Sequence, residues 1–509
     1  MRPTFMGFEA SKTAIFAAQK ALDIVGNNLS NISTEGYTRQ RVDQVSVSPG
    51  NYTSRLSLNL VTYSGMGTDI NGISQMRDVL LDSAFRSENA TMGYYDRNAG
   101  MLEDIESIFQ ELETGTDGNG YGLGDAISQL YKALEGFASN ASSETGAMIV
   151  ANSVNNIAQL LNQQYTKLDE SATRYKNELS VDVDEVNGIL KDIAVLNKSI
   201  ANSMVVNDYG EDYGPNELFD ERNLLLDRLS EFGETTVKEN ENGSVTVTFN
   251  GHNAVDDRVV ETLNYQENSN STVSVFWKSD GVSALGGLGI FRASADILNG
   301  RGLAATSSTE VTQRGYLYYK DKLDSFANVL AGVLNNTIPD TYNEDGSVAS
   351  YKKLVGAEMS NGNDYEVYPD MLVTADNIAM TKEFRSQSTY IIEDMKSTDN
   401  SNVLKLISRL FEEPHQFEAS GDRFNGTFQE FSADFVGTLG SDTSYAAARY
   451  DASYSIASEI LNSRDAVSAV SESEETSNML MYNRAFQAAS KMMTVMDGLL
   501  DVIINQMAT

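Results

Sequence analysis

Apolar residues recur at a seven-residue interval at both ends of the chain. Near the start, Phe8, Ile15, Leu22 and Leu29 form one series, and Ser11, Ala18, Val25 and Ile32 form a companion series. Near the end, Met479, Phe486, Met493, Leu500 and Met507 form one series, and Tyr482, Ala489, Met496 and Ile503 the other. Two interleaved series at this spacing predict helices with a narrow seam of coiled-coil type. Over residues 8–32 such a helix is about 37 Å long at about 1.5 Å per residue. The run Asn27-Asn28-Leu29-Ser30-Asn31 weakens helicity, and Thr34-Glu35-Gly36-Tyr37 turns the chain out of it. Two helices of an ordinary bundle would show the same periodicity. Their terminal position favours assembly, because an isolated seam needs a partner to bury it.

Between the ends the period changes. Val42, Val45, Val47, Leu56, Leu58 and Leu60 alternate around Pro49-Gly50 and predict strands within 42–75. Helical spacing returns at 76–113, 123–137, 144–203 and 215–232, with loops at 115–122 and 208–214. Val245, Val247 and Phe249 alternate between Asn242-Gly243 and Asn250-Gly251, a hairpin signal. Val273, Val275 and Trp277 carry β character to about residue 290. Helix is expected at 315–336, and a β-rich block at 339–380 opens with Pro339 and the turn Asn343-Glu344-Asp345-Gly346. From about 400 the pattern is helical, with loops near 413–426 and 437–444. The fold class is mainly α with β insertions, in a chain that leaves and re-enters its helical body.

A length of 509 residues implies two to four domains, and 41% hydrophobic residues are enough to pack them. Asp and Glu number 72 against 37 Lys and Arg, a net charge of −35 that would repel nucleic acid or an anionic membrane. The ends escape this excess. Residues 1–41 carry five basic and three acidic side chains, and 476–509 carry two of each, which leaves −37 on 42–475. Nearly neutral ends can be crowded together while an acidic middle stays solvated. Cysteine is absent, so thiol and disulfide chemistry are excluded. No stretch approaches the roughly 18 apolar residues of a membrane span, and the start lacks the pattern of a cleaved signal.

Candidate chemistry is sparse. His252 and His415 lack a second His or Cys at metal-ligand spacing, and no Gly-x-Ser-x-Gly elbow accompanies them. Asp117-Gly118-Asn119-Gly120-Tyr121-Gly122 starts like a calcium loop, but Tyr121 replaces an oxygen ligand and Ser128 stands where the closing Glu belongs. Gly286-Gly287-Leu288-Gly289 lacks a dinucleotide-fold context, and acid pairs such as Glu412-Glu413 are expected among so many carboxylates. No catalytic, cofactor or metal site is expected, and the chain reads as a structural protein rather than an enzyme.

The segment Ala21-Leu22-Asp23-Ile24-Val25-Gly26-Asn27-Asn28-Leu29-Ser30-Asn31-Ile32-Ser33-Thr34-Glu35-Gly36-Tyr37-Thr38-Arg39-Gln40 resembles the N-terminal signature of bacterial flagellar axial proteins. Its ending is similar to that of the hook-associated proteins of the hook–filament junction, the FlgK type. Gly65-Met66-Gly67-Thr68-Asp69-Ile70, the stretch Asp220-Glu221-Arg222-Asn223-Leu224-Leu225-Leu226-Asp227-Arg228-Leu229-Ser230 and the run from Glu474 to Ser490 extend the resemblance over most of the chain. The 215–230 stretch and the length speak for this type over the hook subunit or the second junction protein.

The resemblance implies a discontinuous axial protein. Its N- and C-terminal helices, 1–41 and 475–509, would pair as a coiled coil. A helix-rich middle domain would span 42–338 and 399–474, with β segments near 42–75 and 235–290. A β-rich outer insertion would occupy 339–398. The resemblance also implies type III export without a cleaved signal, an extracellular place in the flagellum, and self-association in a ring. The implied partners are the hook subunit, the second junction protein and an export chaperone. The assembly positions are then Phe8, Ile15, Leu22, Val25, Leu29 and Ile32, with Met479, Tyr482, Phe486, Met493, Met496, Leu500 and Ile503. One outcome follows directly from the missing ligand clusters: elemental analysis of the purified protein should find no stoichiometric zinc or other transition metal.

Overall fold

A computed structural model describes residues 6–47, 67–109, 122–206, 212–361, 364–392 and 399–502. The helices are α1 (Met6–Ser30), α2 (Val79–Phe109), α3 (Leu123–Ala138), α4 (Glu144–Ser203), α5 (Asn216–Phe232), α6 (Ile290–Leu298), α7 (Tyr316–Asn335), α8 (Lys382–Ser386), α9 (Ser401–Phe411), α10 (Phe428–Ser468) and α11 (Glu472–Asp501). The sheets are small and antiparallel. The chain divides into two compact units: 1–90, 186–262 and 454–509 form the first, and 91–185 and 263–453 form the second.

In the first unit, β1 (Gln40–Ser46) pairs with β2 (Thr68–Gln75), and both pack on α1. Gly67 makes that approach possible, because a Cβ there would lie 2.3 Å from Thr13 Oγ1. Pro49-Gly50, Leu56, Leu58 and Leu60 lie outside the described residues. A four-stranded sheet runs through 235–239, 245–249, 252–256 and 259–260. The expected alternation is present, since Val245, Val247 and Phe249 are buried and the threonines between them are not. The C-terminal turns of α4 bury Val186, Leu190, Ile193 and Ile200.

The core of the second unit is aromatic. Phe417 stacks on Phe431 at 4.4 Å between ring centroids, Phe428 meets Phe326 edge-on at 5.2 Å, and Phe435 meets Phe109 at 4.7 Å. These rings come from α2, α7, α10 and the hairpin His415–Ala419/Asp422–Gly426. Such edge-to-face and stacked pairs add about 0.5–1.5 kcal/mol each beyond area burial.

A single turn recurs in three hairpins. In 240–245, 268–273 and 343–348 an Asn donates its amide to the Ser or Thr hydroxyl four residues on, and the Asn or Asp between them accepts from that residue's N–H. The residue before the hydroxyl takes positive φ: Gly243 (77°), Ser271 (63°) and Gly346 (82°). A second device recurs with it. Asn197, Asn299 and Asn335 each accept the backbone N–H and donate to the carbonyl of one residue, respectively Val245, Val273 and Val355. Each of these asparagines is at most 4% exposed, so the two-point bond satisfies a buried amide while fixing where a strand begins.

Four expectations are corrected here. Residues 437–444 are no loop: α10 runs through them, with Leu439 fully buried and the Thr443 hydroxyl bonded back to the Leu439 carbonyl. Burial of one face outweighs the low helix propensity of its glycines. The stretch 413–426 is the hairpin above rather than a loop, held by Phe417 in the aromatic core. His415 is accordingly a half-buried strand residue whose Nε2 donates to the Arg409 carbonyl and whose ring meets Phe428. The β character of 273–277 ends well short of 290, where α6 begins as a helix of nine residues, eight of them buried.

Asp324 on α7 accepts the N–H of Ala375 at 2.8 Å. Burial pushes its carboxyl up from 3.8 to about 6, and Asp376 and Asp321 add to the effect. A raised folded-state value means that folding favours the protonated form. The group's stabilising contribution is therefore complete below about 3.8 and lost as pH rises through about 6. Asp324→Asn keeps an acceptor for Ala375 without the charge. It should be more stable than the parent at pH 7.5 by about 1 kcal/mol after allowance for partial solvent exposure, with the gap closing near pH 4. Urea midpoints at both pH values measure this, and a gap independent of pH would refute it.

Candidate functional site

The N- and C-terminal helices, α1 and α11, meet in the first unit. A Cβ on Gly7 would lie 2.4 Å from Met496 Cε, and Asn28 Nδ2 donates to Glu475 Oε2 at 3.3 Å. Position rises along α1 as it falls along α11, so the helices pair antiparallel over about 21 residues each, roughly 32 Å. Apart from Asn28, the side chains that α1 buries most are mainly small: Ser11, Ala17, Ala18 and Ala21, with Ile24 and Val25. Small residues let backbones approach closely.

Of the expected assembly positions, Val25 is buried, and Phe8, Ile15, Leu22 and Leu29 are half-buried. Ile32 lies past the end of α1 and is 44% exposed. On α11, Tyr482, Phe486, Met493, Met496 and Leu500 are half-buried and Met479 is 37% exposed. Ile503 lies outside the described residues. Sequence reading missed a second seam on the same helix. Met481, Ala485, Ala488, Met492, Val495, Leu499 and Val502 follow one another at alternating steps of four and three, and all are exposed. The signal was present in the sequence, one position before members of each series already read.

The seam ends in a polar clasp formed by the signature after α1. The Asn28 carboxamide donates to Gln40 O at 3.0 Å and to Glu475, and accepts from Gln40 N at 3.0 Å and Tyr37 Oη at 2.8 Å. Asn28 is thus a fourth example of the two-point asparagine bond. Gly36, at φ 77°, makes the turn that brings Tyr37 back. Burial pushes the Tyr37 phenol up to about 12, with Asp220, Glu217 and Glu475 adding their negative field. Arg39 donates through Nε to Glu475 Oε1 at 2.8 Å and through Nη1 to Glu474 Oε2 at 2.6 Å. These carboxylates sit in the first turn of α11, capped by Ser471, where the helix dipole favours negative charge.

The stretch 216–230 supplies the support. Asn216 donates to the Ile73 carbonyl, and Asp220 accepts from Thr38 N and Gln75 Nε2. Burial pushes the Asp220 carboxyl up, an effect offset by those bonds and by Arg77. Asp227 takes Arg86 at 2.8 Å and Arg464 at 2.6 Å. Arg222, only 3% exposed, donates to Gly243 O at 2.7 Å, and burial pulls its guanidinium down to about 10. One helix therefore ties together the turn after α1, the β1–β2 hairpin, the start of α2, the end of α10 and the four-stranded sheet. Its acid–arginine pattern is a structural hub, with breakage of any buried pair leaving an uncompensated charge.

The described residues contain no group of three or more His, Cys, Asp or Glu arranged to hold a metal ion, and none of their helices is long and apolar enough to cross a membrane. The calcium-like loop lies outside the described residues up to Tyr121. A cavity of about 740 Å³ beside the 35–38 turn is lined by Arg77, Asp227 and Arg464, which are paired within the hub.

Three family descriptions match the chain: "Flagella basal body rod protein" over 8–38, "Flagellar hook-associated protein FlgK helical domain" over 102–349, and "Flagellar basal body rod FlgEFG protein C-terminal" over 464–507. The flagellar hook-associated protein 1 of Bacillus subtilis is 27% identical across 100% of this chain and 99% of its own length. That of Salmonella typhimurium is 21% identical across 96% and 97%. The solved flagellar hook junction protein FlgK of Burkholderia pseudomallei shares the fold with a TM-score of 0.54 at 11% identity, over 77% of this chain and all of that one. The rod-type matches fall on the two helices that meet, and the hook-associated match falls between them. In all three comparisons the chain is similar to the FlgK family of flagellar hook-associated proteins.

Proposed function

We propose that this chain is a structural subunit of the junction between hook and filament, on which filament assembly starts, and that the α1–α11 pair is its assembly element. One observation carries the second half of this reading. α11 has two apolar seams: the half-buried one meets α1, with Met496 against Gly7, and the other is exposed. The bare seam is helical, regular and continuous from Met481 to Val502, the pattern of a helix that packs on further helices.

The similarity to flagellar hook-associated and rod proteins supports a structural role among flagellar components. In the fuller reading, copies associate in a ring through the bare seams, with the hook subunit and the second junction protein above and below. An export chaperone covers the C-terminal helix before assembly, and the protein is secreted by the type III route to an extracellular position. The exposed Tyr342, Met359 and Leu372 support 339–398 as a solvent-facing surface.

Two substitutions separate intramolecular from intermolecular packing. Leu499→Asp lies on the bare seam and Phe486→Asp on the half-buried one. Each forfeits about 1.5–3 kcal/mol of burial wherever its side chain is covered. Leu499→Asp should leave the melting curve of the purified chain unchanged yet stop filament growth, so that cells keep hooks and shed flagellin into the medium. Phe486→Asp should stop filament growth and also loosen α11. Deleting the turn 343–346 should leave filaments intact. Normal swimming with Leu499→Asp would remove the bare seam from the assembly surface.

A further inference from the structure

Both connections between the helix pair and the rest of the first unit pass through the clasp. α10 and α11 are separated by Ala469, Val470 and Ser471, and α1 reaches β1 through residues 31–39. Arg39 holds both. Its N–H donates to the carbonyl of Ser468, the last residue of α10, and its carbonyl accepts from Met76 N just beyond β2. Its guanidinium grips Glu475, which is 1% exposed. Arg39 is the one cation within 4.0 Å of the Glu475 carboxylate among the described residues.

We propose that Arg39 and Glu475 are positioning residues for assembly: they set the direction in which the α1–α11 pair leaves the rest of the first unit, rather than holding the pair together. The proposal rests on the assembly reading above. Pairing is distributed along about 21 residues of seam, so one polar contact at its end is not needed to maintain it. Beyond the β1–β2 hairpin that packs along α1, direction is decided by few groups at two short connections. A carboxylate as deeply buried as Glu475 is tolerated only while its cation and amide partners stay in place, so other directions are disfavoured. A ring requires every copy to present its helices at the same angle, which makes this selectivity functional.

The full-length protein offers a direct test because it has no cysteine of its own. Gly7→Cys with Met496→Cys reports pairing by cross-link yield. Spin labels on Lys20→Cys and Thr236→Cys, both exposed in the first unit, report direction as a distance distribution. Glu475→Gln removes the buried charge at constant shape, and Arg39→Gln removes its partner. Each should keep the parental cross-link yield, broaden the spin-label distribution and cut filaments per cell at least tenfold. Arg39→Lys, which restores the charge without the two-nitrogen grip, should recover part of the sharpness and part of the filaments.

Loss of the cross-link with Glu475→Gln would overturn the proposal, since the clasp would then hold the pair itself. An unchanged distance distribution, or normal filaments despite a broadened one, would overturn it too. If Leu499→Asp blocks assembly while Glu475→Gln does not, this inference alone fails. If Leu499→Asp has no effect, the assembly reading fails first.

Discussion

The two ends of a long chain must find one another, and the Asn28 carboxamide is where they do. It bonds both backbone groups of Gln40, the Tyr37 hydroxyl and the Glu475 carboxylate. No other common side chain offers two donors and a two-lone-pair acceptor in so short a length, and a buried amide left partly unpaired costs about 1–3 kcal/mol. Everything that the terminal helices present is registered from that point. The seam residues run from it along α1 and α11, and the turn containing Gly36 closes on it.

The hub on α5 extends the same logic inward. Arg86, Arg222, Asp220 and Asp227 are buried or nearly so, an arrangement that contributes little net stability compared with an apolar core. Its value is specificity. An apolar core would accept several packings of α2, α5 and α10, whereas Asp227 between Arg86 and Arg464 accepts one. A subunit that must present identical surfaces in every copy benefits from that discrimination. The aromatic core of the second unit works by shape instead, with rings locked edge to face.

Long helices were legible because burial imprints a period on the sequence. The bounds expected for α4 match those observed, α5 differs by one residue at its start, and α7 by one residue at each end. Legibility failed where burial and propensity disagree. Gly437 and Gly440 suggested a break, yet Leu439 and Thr443 commit the segment to α10. It failed again for α6, too short for its period to stand out beside the apolar strand before it. The clasp was visible only as a motif, because nothing in its spacing tells that Arg39 reaches across hundreds of residues to Glu475. Asn197, Asn299 and Asn335 left no signal, since an asparagine pinning a strand looks like any polar residue near a helix end.

Charge resolves the remaining tension between a bare apolar seam and a chain that must stay apart from its copies until assembly. The excess of −37 on 42–475 keeps free chains mutually repelled, while 476–509 is neutral and adds no repulsion where helices must crowd. Within α11 the segregation is sharper. Three acids, Glu472, Glu474 and Glu475, sit in the first turn, where Arg39 and the helix dipole neutralise two of them. From Asn478 to Met496 the charged residues are Arg484 and Lys491 alone, and both are exposed. Unlike the acids, these long cationic side chains can lie along apolar surface and keep their heads in water. From Asn478 to Met496 the helix can therefore be surrounded by others without burying a carboxylate, and its remaining acids, Asp497 and Asp501, are exposed in its last turns.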